Sequence, residues 1–417
     1  SLALASATSF ASSGTVIIGA ELITYSSKSG NTLSGLTRGT SGTTAAIHSS
    51  GAQVIDASTY AGFGAASSGD IVTAPGMWSL DNFGNKLIAT IFSGETFTWS
   101  SDATDATATR AVLASGAPTA SRDMLVSTPD RHLVFFGTET TIGTKSSQDQ
   151  MFIRFSSQED ITDYTPTATN SAGTQRLADG SRIMGALRGR NAIYVWTDTA
   201  LFLMRFVGAP FTFAFEQVGT NCGLIGKNAA VEVDGTVYWM SENGFFRYGG
   251  QLESLPCLVE DFVFDDLNTV TKQHVNAGLN NLFGEINWFY VSSGSNTVNR
   301  VVTYNYFDSS NERPIWTTGT LDRTAWSDSA IFGKPHATQY DTSTNGTVGS
   351  STYVQGNSDG VSIYYEHETG LNQVKEGTET AIVANIESGD FDISITKEGG
   401  ASTKGDGEYM MKISRVI

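Results

Sequence analysis

The sequence predicts an all-β chain built from repeated small sheets, and three observations carry that prediction. Glycine is abundant at 44 residues while proline is scarce at 8, and Thr and Ser are frequent. That composition supplies turns with positive φ between strand-favouring residues. Short apolar-rich runs of strand length recur, each closed by Gly, Ser, Asp or Asn. The runs also return at intervals near those of a four-stranded repeat unit.

Taken in order, the runs stand at 15–18, 86–92, 132–136, 192–196, 236–239 and 287–291. Each reads as a strand bounded by turn residues. The clearest unit covers 191–218, where 192–196, 201–206 and 211–217 make three strands joined by short turns. One stretch has helical rather than strand spacing: Val259, Phe262, Val263 and Leu267 repeat at i, i+3, i+4 and predict a short helix over 259–267.

A loose repeat joins these strands. An aromatic closes a strand and is followed by small hydroxylated or acidic residues, as at Trp99, Phe155, Trp196, Trp239 and Trp288, with spacings of 56, 41, 43 and 49. About 40–50 residues is the size of a propeller blade, whose small core must be completed by stacking on neighbours. From Trp78 to Asp359 there is room for six such units. The spacing is irregular, so two packed β-sandwiches are the alternative architecture. The expected division is an N-terminal β module at 1–60, a propeller-like domain at 61–375, and a C-terminal segment at 376–417. The terminal segments are expected to pair into one platform, since chain ends often lie close together.

Charge and motif content narrow the function. With 25 Lys+Arg against 42 Asp+Glu the net charge is −17, yet only 16% of residues are charged and 40% are apolar. A charged solvating tail is excluded by that balance. No apolar run approaches the ~20 residues of a membrane helix, and the chain opens Ser1-Leu2-Ala3, so its numbering is expected to begin inside a longer product. Cys222 and Cys257 stand outside any Cys-x-x-Cys and read as free thiols, although a bridge between them remains open. His48, His132, His274, His336 and His367 are scattered and form no metal-ligand spacing, so neither metal nor cofactor is expected.

Catalytic signatures are also missing. Glu159-Asp160, Glu260-Asp261, Asp265-Asp266 and Glu387/Asp390/Asp392 are acidic clusters, but a glycosidase needs two carboxylates facing each other across a cleft. Ser241-Glu242-Asn243-Gly244-Phe245-Phe246 approaches the Asp-box turn of sialidase-like propellers without its tryptophan. No G-x-S-x-G occurs. The chain is therefore expected not to be an enzyme. One local feature opposes the global sign: Arg176, Arg182, Arg188 and Arg190 fall within 15 residues. Read on charge, they form a solvated rim paired with the excess carboxylates, since an acidic chain opposes tight nucleic-acid binding.

Several strings resemble virion proteins of phages. Ser12-Ser13-Gly14-Thr15-Val16-Ile17-Ile18-Gly19-Ala20-Glu21-Leu22-Ile23-Thr24-Tyr25, continuing through Gly30-Asn31-Thr32-Leu33-Ser34-Gly35-Leu36-Thr37-Arg38-Gly39 to Gly42-Thr43-Thr44-Ala45-Ala46-Ile47-His48, resembles a small β module found in many phage structural proteins. Trp78-Ser79-Leu80-Asp81-Asn82-Phe83-Gly84, Arg131-His132-Leu133-Val134-Phe135-Phe136-Gly137, Ile153-Arg154-Phe155-Ser156, Gly223-Leu224-Ile225-Gly226 and Tyr238-Trp239-Met240-Ser241-Glu242-Asn243-Gly244 resemble the nozzle, or packaged-DNA stabilisation, proteins of short-tailed phages. So does Ile386-Glu387-Ser388-Gly389-Asp390-Phe391-Asp392-Ile393.

The resemblance implies a six-bladed propeller on a platform, assembled as a homo-hexameric tube in the virion tail. Its implied partners are the portal and adaptor complex and the tail fibres or needle. Double-stranded DNA would be retained by the tube and then pass through it without specific binding. In such a ring Arg176, Arg182, Arg188 and Arg190 stand as channel or inter-subunit contacts, and the loops at 292–299 and 342–359 as projecting tips. A peripheral tail protein that binds a host-surface glycan through propeller loops is the alternative function. A propeller hydrolase acting on cell-surface polysaccharide comes third.

Overall fold

The computed structural model describes residues 1–57, 77–100, 111–341, 347–348, 351–352, 361–375 and 378–381, less positions 9, 20, 41, 42, 129, 191, 330, 331 and 371. The chain divides into two compact units, Ser1–Tyr340 with Ser362–His367, and Asp341–Val361 with Glu368–Ile417. Within the second unit two hairpins are described, Thr347–Val348 with Ser351–Thr352 and Asn372–Lys375 with Thr378–Ala381. The C-terminal strands expected at 391–395 and 409–413, and most of 381–387, lie outside the described residues.

Six consecutive sheets follow one another from Trp78 to Glu366, and their order defines a β-propeller. Blade 1 is Trp78–Phe83, Lys86–Ile91, Thr96–Ser100 and Val112–Leu113. Blade 2 is Asp123–Ser127, His132–Phe136, Phe152–Phe155 and Gly173–Arg176. Blade 3 is Ile183–Arg188, Ile193–Thr197, Ala200–Gly208 and Thr212–Thr220. Ala230–Val233, Thr236–Ser241, Gly244–Tyr248 and Leu252–Leu255 make blade 4, and Asn276–Asn280, Glu285–Tyr290, Arg300–Asn305 and Trp316–Gly319 make blade 5. Blade 6 has three described strands, Ala325–Ser327, His336–Asp341 and Val361–Glu366.

Each of the first five blades is a four-stranded meander with strands paired in chain order, so every connection inside it is a hairpin. Asp234 and Gly235, both at positive φ, form the two-residue turn between Val233 and Thr236. From blade 1 to blade 6 the first strand of each blade packs against the first strand of the next, so these inner strands gather around a common axis.

The strands in second place explain why apolar runs, rather than a polar–apolar alternation, mark this chain. All five residues of His132–Phe136 are buried. Leu133 and Phe135 pack with Phe83 and Ile88 of blade 1, while Val134 and Phe136 pack with Ile193 and Val195 of blade 3. Successive side chains point to opposite faces, and here both faces meet another blade. Blade 3 repeats the arrangement: Ile193 and Val195 face blade 2, whereas Tyr194 and Trp196 join Trp239 and Trp288 in the largest cluster. Trp196, Trp239 and Trp288 hold equivalent places on second strands, but Trp99 and Phe155 sit on third strands. The aromatic repeat read from the sequence therefore mixes two phases of the blade.

The predicted helix is present as Glu260–Asp266, between blades 4 and 5. Val263 is buried, while Phe262 is 53% exposed, so the apolar stripe is only partly covered. Glu260 and Asp261 lie in its first turn, where negative charge suits the helix dipole.

The N-terminal sheet has the order Leu2–Ala3, Thr32–Thr37, Glu21–Ser29, Gly14–Ile18, Ile55–Asp56, all drawn from the first 56 residues. Its core is small, with Val16, Ile18, Ile23, Tyr25 and Leu33 around Phe10. Glu21, whose side chain is wholly buried, gathers the loop after Thr37. Arg38 donates to it through Nε and Nη2, both at 2.6 Å, Gly39 and Ala46 donate backbone N–H groups, and His48 Nε2 lies 2.6 Å away. Glu21, Arg38, Gly39, Ala46 and His48, drawn from three stretches of the phage-like module, thus form one local cluster.

Candidate functional site

The centre of the propeller joins neighbouring inner strands through polar side chains. Asp81 on the inner strand of blade 1 accepts the Val126 N–H of blade 2 at 2.8 Å. Asp123 on the inner strand of blade 2 repeats this by accepting the Ala186 N–H of blade 3 at 2.9 Å. Adjacent inner strands are therefore joined by a carboxylate and a backbone amide.

Lys227 reaches across the axis. It precedes the inner strand of blade 4, yet its Nζ donates to Trp78 O at 3.1 Å and Ser79 Oγ at 2.5 Å on blade 1, and lies 3.2 Å from Asp123 Oδ1 on blade 2. Both side chains of that ion pair are over nine-tenths buried. The Ser79 hydroxyl also donates to Asp123 Oδ1 at 2.7 Å. Further along, Arg188 Nη1 donates to Asp81 Oδ2 and to Val126 O, each at 2.8 Å, tying blade 3 to blades 1 and 2.

The segment carrying Lys227 explains the Gly223-Leu224-Ile225-Gly226 string. A side chain at Gly223 would collide with the backbone of Asp198, and one at Gly226 would crowd the carbonyls of Gln273 and Lys272 at 3.0 and 3.1 Å. Gly185 of blade 3 is needed for the same reason, because a Cβ there would lie 2.6 Å from Lys227 O. Leu224 and Ile225 are buried between these contacts. The tryptophans tie in likewise: Trp239 Nε1 donates to Cys222 O and Trp288 Nε1 to Ala229 O.

Two cavities flank Lys227, which lines both. One, of about 270 Å³, lies among the inner strands of blades 3 to 6 and is lined by Ala186, Asn228, Ala230, Asn276 and Trp326. The other, of about 90 Å³, opens where the inner strands begin. Arg122, Arg182, Lys227 and Lys272 line it, beside Met77, Phe92, Met184 and Ile225. Arg122 donates to Ile183 O at 2.6 Å and Gln150 Oε1 at 2.7 Å, and its guanidinium lies 4.8 Å from the Phe92 ring centre. Burial, and next the Arg182 charge, lower its pKa to about 10.

The arginine run disperses in three dimensions. Arg176 lies on the outer strand of blade 2 and pairs with Asp149 at 2.7 Å. Arg182 and Arg188 stand at opposite ends of the blade 3 inner strand, one beside the smaller cavity and the other on Asp81. Arg190 is exposed after that strand. Sequence reasoning missed Arg122, Lys227 and Lys272, because each belongs to a different blade. A basic residue recurring just ahead of successive inner strands was the available signal.

The acidic clusters do not face one another. Glu159 pairs with Arg131, Asp160 accepts the Thr162 N–H and hydroxyl, and Asp266 lies 3.3 Å from Arg300. Glu387, Asp390 and Asp392 lie outside the described residues. Cys222 and Cys257 are both free, and burial pushes their thiols up, to about 11 and about 12. Among the described residues no group of three or more His, Cys, Asp or Glu could hold a metal.

One chain of bonds has the atom order of a hydrolase triad. Ser171 Oγ lies 3.2 Å from His132 Nε2, His132 Nδ1 lies 2.9 Å from Asp130 Oδ2, and Ser127 donates to Asp130 Oδ1. Burial raises Asp130, but the bonds from His132 and Ser127 more than offset it and hold the carboxyl below its ordinary value. His132 is wholly buried among Phe155, Phe206 and Phe213, and Ser171 Oγ already accepts the Gln158 N–H at 2.7 Å. These bonds tie the second strand of blade 2 to its own loops.

Of the loops expected to project, 292–299 is pinned. Asn299 bonds back to Ser292 twice, Asn268 donates to Ser295 O, and Val298 is buried. Most of 342–359 lies outside the described residues.

No family model and no curated protein matches the chain. Solved structures that align with it include the dihydro-heme d1 dehydrogenase NirN, at 9% identity and a TM-score of 0.39, over 79% of this chain and 58% of that one. BamB from Moraxella catarrhalis aligns at 14% identity and a TM-score of 0.32, over 63% and 79% of the two chains. AztD from Citrobacter koseri aligns at 8% identity and a TM-score of 0.33, over 74% and 86%. The chain thus covers less than two thirds of NirN. The class is set by sheet order: this is an all-β propeller protein with an N-terminal β module.

Proposed function

We propose that the chain is a non-enzymatic structural protein of a phage virion tail, six copies of which form a nozzle below the portal and adaptor. The nozzle retains packaged DNA and conducts it during ejection, with fibres or a needle as further neighbours. The observation that supports this reading best is the use of polar groups at the propeller centre. Asp81, Asp123, Arg188 and Lys227 are engaged in ties between blades, which makes a stiff block rather than a reactive cleft. Among the described residues, the strings that resemble nozzle proteins fall on those ties and on strands within the blades, while 386–393 lies outside the described residues.

In this reading DNA passes through the lumen enclosed by the ring, not along a propeller axis. A duplex whose major groove alone is about 12 Å wide cannot pass inner strands bridged by single hydrogen bonds. The net charge of −17 favours a wall that repels phosphate and lets DNA slide. Arg176, Arg182, Arg188 and Arg190 remain proposed channel or inter-subunit contacts, with Arg190 the freest to serve.

Cryo-EM of the intact particle tests the proposal. Density for this chain as a ring of six on the tail axis, next to the portal, is expected. Density off the axis or in threes at the periphery overturns it.

A further inference from the structure

We propose that the small cavity at the start of the inner strands binds a tetrahedral oxyanion of the phosphate class, held between Arg122 and Arg182. The inference does not rest on the nozzle reading. Of the four cations lining the cavity, two are neutralised: Lys227 by Asp123, and Lys272 by Glu242. Arg122 has no carboxylate on its guanidinium, which donates to a carbonyl and an amide oxygen instead. The Arg182 side chain has no hydrogen-bond or ion-pair partner among the described residues, although its charge is felt by Arg122. Asp198, the other carboxylate nearby, accepts the N–H and hydroxyl of Ser181.

Two guanidinium groups thus share one cavity in a chain with 42 acids and 25 bases. Such a pair repels itself, and the charges of Asp123 and Asp198 offset that repulsion only in part. An oxyanion between the two forks removes the repulsion and accepts charge-assisted hydrogen bonds from both. The cavity, of about 90 Å³ and open to solvent, has room for such a group. The same chemistry fits a free oxyanion or a phosphodiester of a nucleic-acid backbone.

Titration calorimetry on the full chain at low salt decides the matter, with inorganic pyrophosphate and a short DNA duplex as separate probes. Arg182→Gln removes an exposed side chain and leaves the inter-blade bonds of Arg122 in place, while Arg190→Gln is the charge-matched control. Pyrophosphate affinity is expected to fall at least tenfold in Arg182→Gln and to hold in Arg190→Gln. Displacement of pyrophosphate by the duplex identifies the backbone as the source, and its failure to compete identifies a free oxyanion. No binding by the unmodified chain at millimolar pyrophosphate, or equal losses in both variants, overturns the site.

Discussion

The N-terminal sheet and the propeller are both antiparallel β-structure, but they are stabilised in opposite ways. In the sheet a thin apolar core is completed by one buried carboxylate, Glu21, which gathers a loop through five donors on Arg38, Gly39, Ala46 and His48. In the propeller the aromatic strands are covered on both faces, and a buried ion pair, Lys227 with Asp123, links inner strands at the axis. Burial of both strand faces gives the propeller most of its apolar core, whereas the small core of the N-terminal sheet relies on directed bonds to fix its loop.

That contrast fails most visibly if the propeller does not depend on its stacked aromatics. Trp239→Ala removes a wholly buried indole and its bond to Cys222 O, and should cost about 3–5 kcal/mol of propeller stability in denaturant unfolding. A loss under about 1 kcal/mol would show that blade stacking is not what holds the domain.

Next comes the axis. Lys227→Met leaves the Asp123 carboxylate buried without its cation and should cost on the order of 3 kcal/mol. Asp123→Asn in the same chain should restore part of that loss, and a double-mutant cycle with no coupling would refute the tie.

A smaller change is expected in the N-terminal sheet. Glu21→Gln should cost on the order of 2 kcal/mol by weakening the bonds to Gly39 and Ala46, read as faster amide exchange at those two positions. The Arg38 bond chiefly holds the Glu21 carboxyl well below its ordinary value of 4.5. A depressed carboxyl contributes stability that is complete above its unfolded pKa and fades as pH falls toward the folded one. Amide protection at Gly39 and Ala46 should therefore decline below about pH 4.5 in the natural chain, and this acid dependence should vanish in Glu21→Gln.

The strand runs at 15–18, 86–92, 132–136, 192–196, 236–239 and 287–291, the helix at Glu260–Asp266 and the number of repeat units were legible in the amino-acid order, because strand and helix periods and turn residues are local properties. The phase of the blades was not. Trp99 on a third strand and Trp196 on the strand before it in the blade order are both followed by small polar residues, so the two positions have the same local signature. Which charges meet is likewise a property of the tertiary structure alone. Arg176, Arg182, Arg188 and Arg190 are neighbours in the chain but separate along and across blades, while Arg122, Arg182, Lys227 and Lys272 come from different blades to one cavity. A strand carries successive residues away from one another, and circular stacking of blades brings equivalent positions together, so the axial cluster was written one residue per repeat.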